Sequence, residues 1–249
     1  MNKSQNLLRF LFLFFLILLI FTPYESLKAA PREDHAFADS LFEAKMYTQS
    51  YEIYENIFLS NKKTSRAMLL KMAFIKEGLE EYSDALYFLN LYYKKTYNKR
   101  VLKKMENLAE AHQLIGYEYD DAEFFLNLYH HFYNQIIIAL MVITLFIFSL
   151  ILYYKQQSKK TPVLSSVIFT LFLIALIYVN NFGREYPKAI IERDHAYLMH
   201  GPSAGADVLD IVGKGHRVEV LKSNDIWSKI SWGSHIAYIR KNSLKMLDY

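Results

Sequence analysis

Two uncharged runs, IIIALMVITLFIFSLILYY at residues 136–154 and VLSSVIFTLFLIALIYV at residues 163–179, decide the fold. At about 1.5 Å of rise per residue, each is long enough to cross a hydrocarbon core of about 30 Å, the second only just. The sequence therefore predicts a two-helix transmembrane hairpin whose helices are joined by the loop KQQSKKTP at 155–162. Two buried helices of a soluble core are the alternative, but such helices normally keep a polar stripe.

The charges of the short loop predict the orientation of the hairpin. Lys155, Lys159 and Lys160 are its only charged residues. Lys and Arg in short loops are retained on the cytoplasmic side of a membrane. The regions before residue 136 and after residue 179 should therefore share the opposite compartment.

The first thirty residues have the layout of an export signal. Lys3 and Arg9 precede an apolar segment from Phe10 to Phe21, and a polar stretch with Ala29 and Ala30 follows. This order is typical of secretory signals. Lys28 is unfavourable for cleavage after Ala30, so residues 1–30 are predicted to be either a signal peptide or an uncleaved anchor. Both alternatives export the chain that follows.

Composition excludes several classes of function. The chain contains no cysteine, which excludes a lipidated N-terminal cysteine, disulfide bonds, thiolate metal sites and a cysteine nucleophile. The net charge of +4 is small, and the basic cluster at 94–104 is followed by an acidic one at 106–123, so the charges are typical of solvated helix faces and not of nucleic-acid binding.

Residues 32–135 contain an internal repeat. YSDALYFLNLY at 82–92 and YDDAEFFLNLY at 119–129 are identical at eight of eleven positions with an offset of 37 residues, and a weaker copy begins at Tyr47. This period, with helix-turn-helix patterning, resembles tetratricopeptide (TPR) repeats. We expect small residues to let paired helices approach and large ones to fill the gaps between helices; these residues are Ala38, Leu41, Ser50, Tyr54, Ile57, Ala73, Tyr82, Ala85, Phe88, Leu89, Ala122 and Phe125. An unrelated helical bundle is the alternative.

The TPR resemblance also implies a binding groove. Such grooves are usually lined by the first helix of each repeat, which indicates Asp39 and Phe42 in the first repeat and Phe74 and Glu77 in the second. Ordinary stacking contacts or solvent-facing charges are the alternative interpretation of these four residues. Since neither glycine nor proline occurs between Asp120 and Lys155, the last repeat helix is predicted to continue into the first membrane span.

A different pattern follows the nine-residue linker 180–188. Residues 189–247 contain short apolar runs punctuated by turn signals about every ten residues, which predicts a small β-barrel. The segments GPS at 201–203, RVEVL at 217–221 and the W-x-x-I pair of Trp227 and Ile230 resemble bacterial SH3 (SH3b) domains. Trp227 and Tyr238 are expected in the core, whereas Trp232, beside Gly233, is the candidate partner-binding residue on the surface.

No catalytic constellation is present in the sequence. The histidines lack the short ligand spacings of zinc sites, and we find neither a phosphate-binding glycine loop nor a serine-centred elbow. The chain is therefore expected to be no enzyme and to carry neither a catalytic metal nor a cofactor.

The order of the segments resembles the TPR and SH3 domain membrane proteins of bacterial aerotolerance (Bat) operons. The fold class is thus a multi-domain membrane protein with all-α TPR-like repeats, a transmembrane hairpin and an all-β SH3b barrel. The resemblance implies a scaffold in the bacterial inner membrane with both folded domains on the periplasmic face. Its implied partners are von Willebrand A-type proteins and a MoxR-type ATPase, and its implied role is envelope or oxidative stress tolerance. An envelope sensor whose SH3b domain binds peptidoglycan is the alternative.

Overall fold

The computed structural model describes residues 32–61, 64–118, 121–158, 163–182 and 186–247. The predicted signal or anchor at 1–30 and the residues beyond Ser158 of the loop predicted to be cytoplasmic lie outside these ranges. Contacts divide the chain into two compact units. One includes Phe125–Glu185, and the other comprises Ala29–Phe124 and Tyr186–Tyr249.

The first of these units contains the two long apolar helices. Helix α6 (Asp121–His131) is followed by α7 (Tyr133–Ser158) and α8 (Val163–Phe182). By length and composition, α7 and α8 can each cross a membrane, with mean hydropathies of 2.9 and 2.3 over Tyr133–Lys155 and Val163–Asn181. Only 6% of the most apolar stretch of α7 and none of that of α8 is buried inside the protein, whereas the core helix of a soluble protein is mostly buried.

The predicted continuous helix is interrupted at one residue. Phe132 lies in a turn between α6 and α7, although its N–H donates to the Leu128 carbonyl at 3.2 Å and its own carbonyl accepts from the Ile136 N–H at 2.8 Å. The rings of His131 and Phe132 lie 4.7 Å apart at this point. Because the i→i−4 hydrogen bonds continue on both sides of Phe132, the interruption is confined to that residue.

The second unit begins with five helices, four of which form two consecutive pairs. Their bounds are α1 Arg32–Glu43, α2 Tyr47–Asn61, α3 Arg66–Gly78, α4 Tyr82–Thr96 and α5 Lys99–Ala111. Helices α1 and α2 pack together, as do α3 and α4, and α5 packs on α4. Side-chain caps start two of them, since Ser65 accepts from the Met68 N–H at 3.1 Å and Asn98 from the Arg100 N–H at 3.0 Å.

Most of the predicted packing positions are confirmed. Seven of them are buried in the helical core: Ala38, Ser50, Tyr54, Ile57, Ala73, Ala85 and Leu89. Phe88 is buried as well, whereas Leu41 and Tyr82 are half-buried. The expectation for Phe125 is wrong, because 63% of its side chain is exposed. The side chain of Ala122 lies outside the described part of the chain.

Residues 186–247 form an antiparallel sheet of seven strands in the order β3-β2-β6-β5-β4-β1-β7. The strands are β1 Lys188–Ile191, β2 Ala196–Met199, β3 Val208–Val212, β4 Arg217–Ser223, β5 Trp227–Trp232, β6 His235–Arg240 and β7 Leu244–Met246. Alternation places one face inward, so that Leu198, Val220, Ile230 and Ile239 share a buried core. The first strand begins at Lys188, the last residue of the predicted linker.

Arg217 fastens the sheet to the helices. It begins β4 and is buried, its Nε donates to the Gly116 carbonyl at 2.6 Å, and its Nη1 donates to Asn90 Oδ1 at 3.2 Å. Its guanidinium also lies 4.9 Å from the centre of the Tyr117 ring. A buried charge is costly unless its donors are paired, and these contacts supply the pairing from residues of the helical region.

The loop that follows α5 adds backbone contacts to the same junction. Ile115 accepts from the Arg217 N–H at 3.0 Å and donates its own N–H to His216 Nδ1 at 3.0 Å. The Tyr117 hydroxyl donates to the Gly215 carbonyl at 2.8 Å. The helical repeats and the sheet, which the sequence presents as two domains, are therefore joined by paired polar groups.

Apolar and ionic contacts complete the junction on the opposite edge of β1. Ile190 and Leu247 belong to the buried cluster of the helices and not to that of the sheet. Lys245 Nζ lies 2.7 Å from Asp84 Oδ1 of α4 and 4.3 Å from the centre of the Tyr87 ring. Separating the sheet from the helices would expose both the apolar and the charged groups.

Gly116→Ala should destabilise this junction. Gly116 has φ of +93°, and a Cβ there would lie 2.1 Å from the Arg217 carbonyl oxygen. Backbone strain together with this clash should cost at least about 2 kcal/mol, which lowers Tm by about 4–8 °C in a unit of this size. Thermal unfolding, followed by the fluorescence of the two tryptophans, both in β5, measures this change in Tm.

Gly78→Ala is the matched control, because no atom lies within 4 Å of a Cβ built at Gly78. Its Tm should stay within about 2 °C of the original protein. Equal melting temperatures for the two variants would contradict the interlocked junction.

Candidate partner-binding site

Phe42 and Phe74 come together across the first two helix pairs. Their ring centroids are 5.7 Å apart, and the Tyr47 ring lies 5.3 Å from Phe42 and 5.7 Å from Phe74, all in edge-to-face geometry. Such arrangements favour aromatic association beyond the area that they bury. Nevertheless 53% of the Phe74 side chain remains exposed. The rings of Phe42 and Tyr47 therefore hold Phe74 in place while about half of its side chain stays exposed.

Phe74 also lines a groove of about 450 Å³, which we call the Phe74 groove. Its lining is mainly apolar and comes from α3, α4 and α5: Leu70, Ala73, Phe74, Glu77, Gly78, Leu89 and Lys104. Leu70 precedes Phe74 by four residues, on the same face of α3, and is 45% exposed. The groove therefore combines two large exposed apolar side chains with the buried side chains of Ala73 and Leu89.

The predicted site residue Glu77 lies at the edge of the Phe74 groove. Its carboxylate forms an ion pair with Lys104 of α5. A pair this exposed contributes little to stability because water and salt screen it. The pair does set a polar edge beside the apolar lining, so the groove offers both kinds of contact.

Asp39, the fourth helical residue of the predicted site, is engaged within the chain. Its carboxylate accepts a hydrogen bond from the Tyr54 hydroxyl and pairs with Lys71 Nζ at 2.9 Å. Burial alone would raise the pKa of Asp39, but the hydrogen bonds from Tyr54 and Lys71 hold it below the ordinary value. Lys71 also lies 4.9 Å from the centre of the Phe42 ring. Asp39 therefore holds Lys71 in place beside the Phe42 ring.

Trp232 lies apart from these residues, at the end of β5. It is half-buried, its Nε1 donates to Asp210 Oδ2 at 3.2 Å, and its ring meets that of His216 edge-on at 5.3 Å. It also lines a cleft of about 300 Å³ that includes Gly116 and Arg217. The Trp232 ring is therefore already engaged within the chain, by Asp210 at its Nε1 and by the His216 ring.

The expectation that Trp227 and Tyr238 belong to the core is wrong, because both are half-buried and neither belongs to the buried cluster of the sheet. Trp227 is half-buried and lines a second cleft of about 510 Å³, which we call the barrel cleft; its lining includes Arg193, His195, Tyr197, Met199, Trp227 and Arg240. Strand alternation already indicated this, since Trp227 and Ile230 are three residues apart and therefore on opposite faces. Trp232, two residues from Ile230, shares the inner face.

Among the described residues, no group of three or more histidine, aspartate and glutamate side chains is placed to hold a metal ion. Comparison with known proteins adds no relative. No family model matches the chain, and neither a curated protein nor a solved structure matches it significantly.

The junction beside Trp232 should respond to pH. Burial lowers the pKa of His216, partly offset by the nearby Asp210 carboxylate, and its Nδ1 must stay unprotonated to accept the Ile115 N–H. Because protonation is easier in the unfolded chain, the stabilisation is fully present above the ordinary histidine pKa of about 6.5 and is lost as the pH falls below it. Thermal unfolding between pH 7.5 and pH 5 should show this loss.

His216→Leu removes the titrating group and should flatten that dependence. His235→Leu, a change at an exposed histidine of β6, is the control and should retain it. A dependence unchanged by His216→Leu would show that another group causes the acid sensitivity.

Proposed function

We propose that this protein is a membrane-anchored, non-enzymatic scaffold that docks partner proteins on its helical repeats. The observation that carries the proposal is the Phe74 groove, in which Phe74 and Leu70 stay exposed although aromatic neighbours hold the former in place. Rigid, exposed aromatic side chains beside small residues are typical of the anchoring points of protein interfaces.

The repeats are proposed to be TPR-like and the sheet to be an SH3b domain. The pairing of α1 with α2 and of α3 with α4, with small buried residues between paired helices, supports the first assignment. Seven short antiparallel strands in about sixty residues support the second. The Phe74 groove then lies on the first helices of successive repeats, α3 and α5, together with Leu89 of α4.

The occupant that we propose for the Phe74 groove is a segment of a neighbouring membrane protein with one large apolar side chain beside a charged one. A volume of about 450 Å³ suits a few side chains and not a whole domain surface. The apolar side chain would contact Phe74 and Leu70. The charged one would replace one partner of the exposed ion pair between Glu77 and Lys104.

The compartment is proposed to be the periplasmic face of the bacterial inner membrane, with the sheet and repeats on one side. The lysine-only loop and the two apolar helices support it. Partnership with von Willebrand A-type proteins and a MoxR-type ATPase in an aerotolerance complex is the biological setting that the segment order favours.

Phe74→Ala should weaken partner recovery. Burying a phenylalanine side chain contributes about 1.5–3 kcal/mol, so its loss should reduce affinity by about tenfold or more. Crosslinking in intact cells, followed by purification from solubilised membranes and mass spectrometry, measures the recovered partners.

The matched control is Leu59→Ala, which removes another exposed apolar side chain, on α2 and outside the groove. It should recover partners normally. Equal recovery with Phe74→Ala and Leu59→Ala would refute docking at this groove, and a crosslinked product of twice the chain mass would identify a second copy as the occupant.

Cysteine labelling tests the orientation separately. The cysteine-free chain accepts single replacements at Ser60 and Ser223, both exposed, and at Ser158 at the end of α7. A membrane-impermeant maleimide added to intact cells with a permeabilised outer membrane should label the first two and spare Ser158→Cys. Labelling of Ser158→Cys from outside would overturn the topology.

A further inference from the structure

We propose that the barrel cleft is a second binding site, which takes an acidic peptide segment of a partner protein with a carboxylate next to an apolar side chain. It lies on the sheet, at residues that the Phe74 groove does not share. The proposal therefore stands independently of docking at that groove.

Apolar and aromatic side chains form one part of the lining of the barrel cleft. Ala196 and Met199 of β2 are buried, and between them Tyr197 exposes 56% of its side chain. Trp227 begins β5 directly opposite Arg240 of β6. Two aromatic rings beside a buried methionine provide a contact surface for one apolar side chain of a ligand.

Two arginines form the rim of the barrel cleft. Arg193, in the turn between β1 and β2, and Arg240, at the end of β6, are both exposed, and neither forms a salt bridge with any residue that the structure describes. The Arg240 guanidinium lies 5.9 Å from the centre of the Trp227 ring, within the range of a cation–π contact. Both guanidinium groups are available to a carboxylate.

One acidic side chain also lines the barrel cleft, and it is already paired. Asp194 accepts from the Lys214 N–H at 3.3 Å, and its other oxygen lies 3.6 Å from Lys214 Nζ. It therefore leaves the charge of the two arginines uncompensated. Arginine recognises carboxylates through paired, charge-assisted hydrogen bonds, which fits an anionic ligand and disfavours a basic one.

The shape of the barrel cleft favours a protein segment over an enclosed small molecule. Arg193, His195 and Arg240 are exposed, whereas Ala196 and Met199 of the same lining are buried, so an apolar side chain can enter from outside while its neighbouring carboxylate stays at the exposed arginines. This order, a buried apolar centre inside a polar rim, is that of protein interfaces.

The test uses the full chain in non-ionic detergent and two fluorescein-labelled peptides that repeat Glu-Phe-Gly or Gln-Phe-Gly four times. Fluorescence anisotropy should show that the glutamate peptide binds about tenfold or more tighter than the glutamine peptide, and more weakly as salt rises. The double variant Arg193→Gln/Arg240→Gln should lose at least about tenfold in affinity for the glutamate peptide, because it removes both guanidinium groups that would bind the carboxylates.

Two controls locate the site. Arg66→Gln changes an exposed arginine at the start of α3 and should bind the glutamate peptide normally, and so should Phe74→Ala. Equal affinity for both peptides, or an unchanged affinity of the double arginine variant, would overturn the proposal. Loss of binding in Phe74→Ala would place the peptide in the Phe74 groove instead.

A further arm distinguishes a protein ligand from the cell wall. Isolated peptidoglycan sacculi should not retain the full chain at moderate salt. Retention that disappears in the double arginine variant, while the glutamate peptide fails to bind the original chain, would assign the barrel cleft to wall peptides and overturn the proposal.

Discussion

The buried guanidinium of Arg217 joins the two halves of the unit that we expect to be exported. Removing an arginine from water is unfavourable, and here the loss is offset by the Gly116 carbonyl, the Asn90 amide and the Tyr117 ring. All three belong to the helical region. If the sheet moved away from the helices, the Gly116 carbonyl and the Asn90 amide oxygen would both lose the guanidinium that donates to them, so the polar contacts add to the apolar ones in opposing separation.

What the sequence predicts well is what local patterns determine. The two apolar runs give the two long helices because the pattern lies within one helix, and the repeat places Ala38, Ala73 and Ala85 in the helical core because each repeat pairs with its neighbour. The junction was not predictable in this way. Arg217 and Asn90 are 127 residues apart, and in RVEVL the arginine has the pattern of an ordinary strand terminus.

In the candidate sites too, local patterns predicted some residues, whereas contacts between distant parts of the chain supplied the others. Phe42 and Phe74 were indicated by their place on the first helices of the repeats, and the structure brings their rings together. Lys104 of the Phe74 groove comes from the next helix, α5, and Arg193 of the barrel cleft lines the same cleft as Arg240 although 47 residues separate them in the sequence. Contacts made by strand pairing depend on register, which the sequence of one strand does not specify.

The junction between the sheet and the helices determines whether the Phe74 groove and the barrel cleft bind independently of each other. If the sheet hung on a flexible tether, a ligand in the barrel cleft and a partner at the Phe74 groove would bind as independent events. With the sheet and the helices interlocked through Arg217 and Lys245, both surfaces lie on one body, so a partner that reaches both binds the second one at a high effective concentration. Under the proposed function, two weak contacts would then select a partner by the spacing of its segments, a selectivity that neither surface would achieve alone.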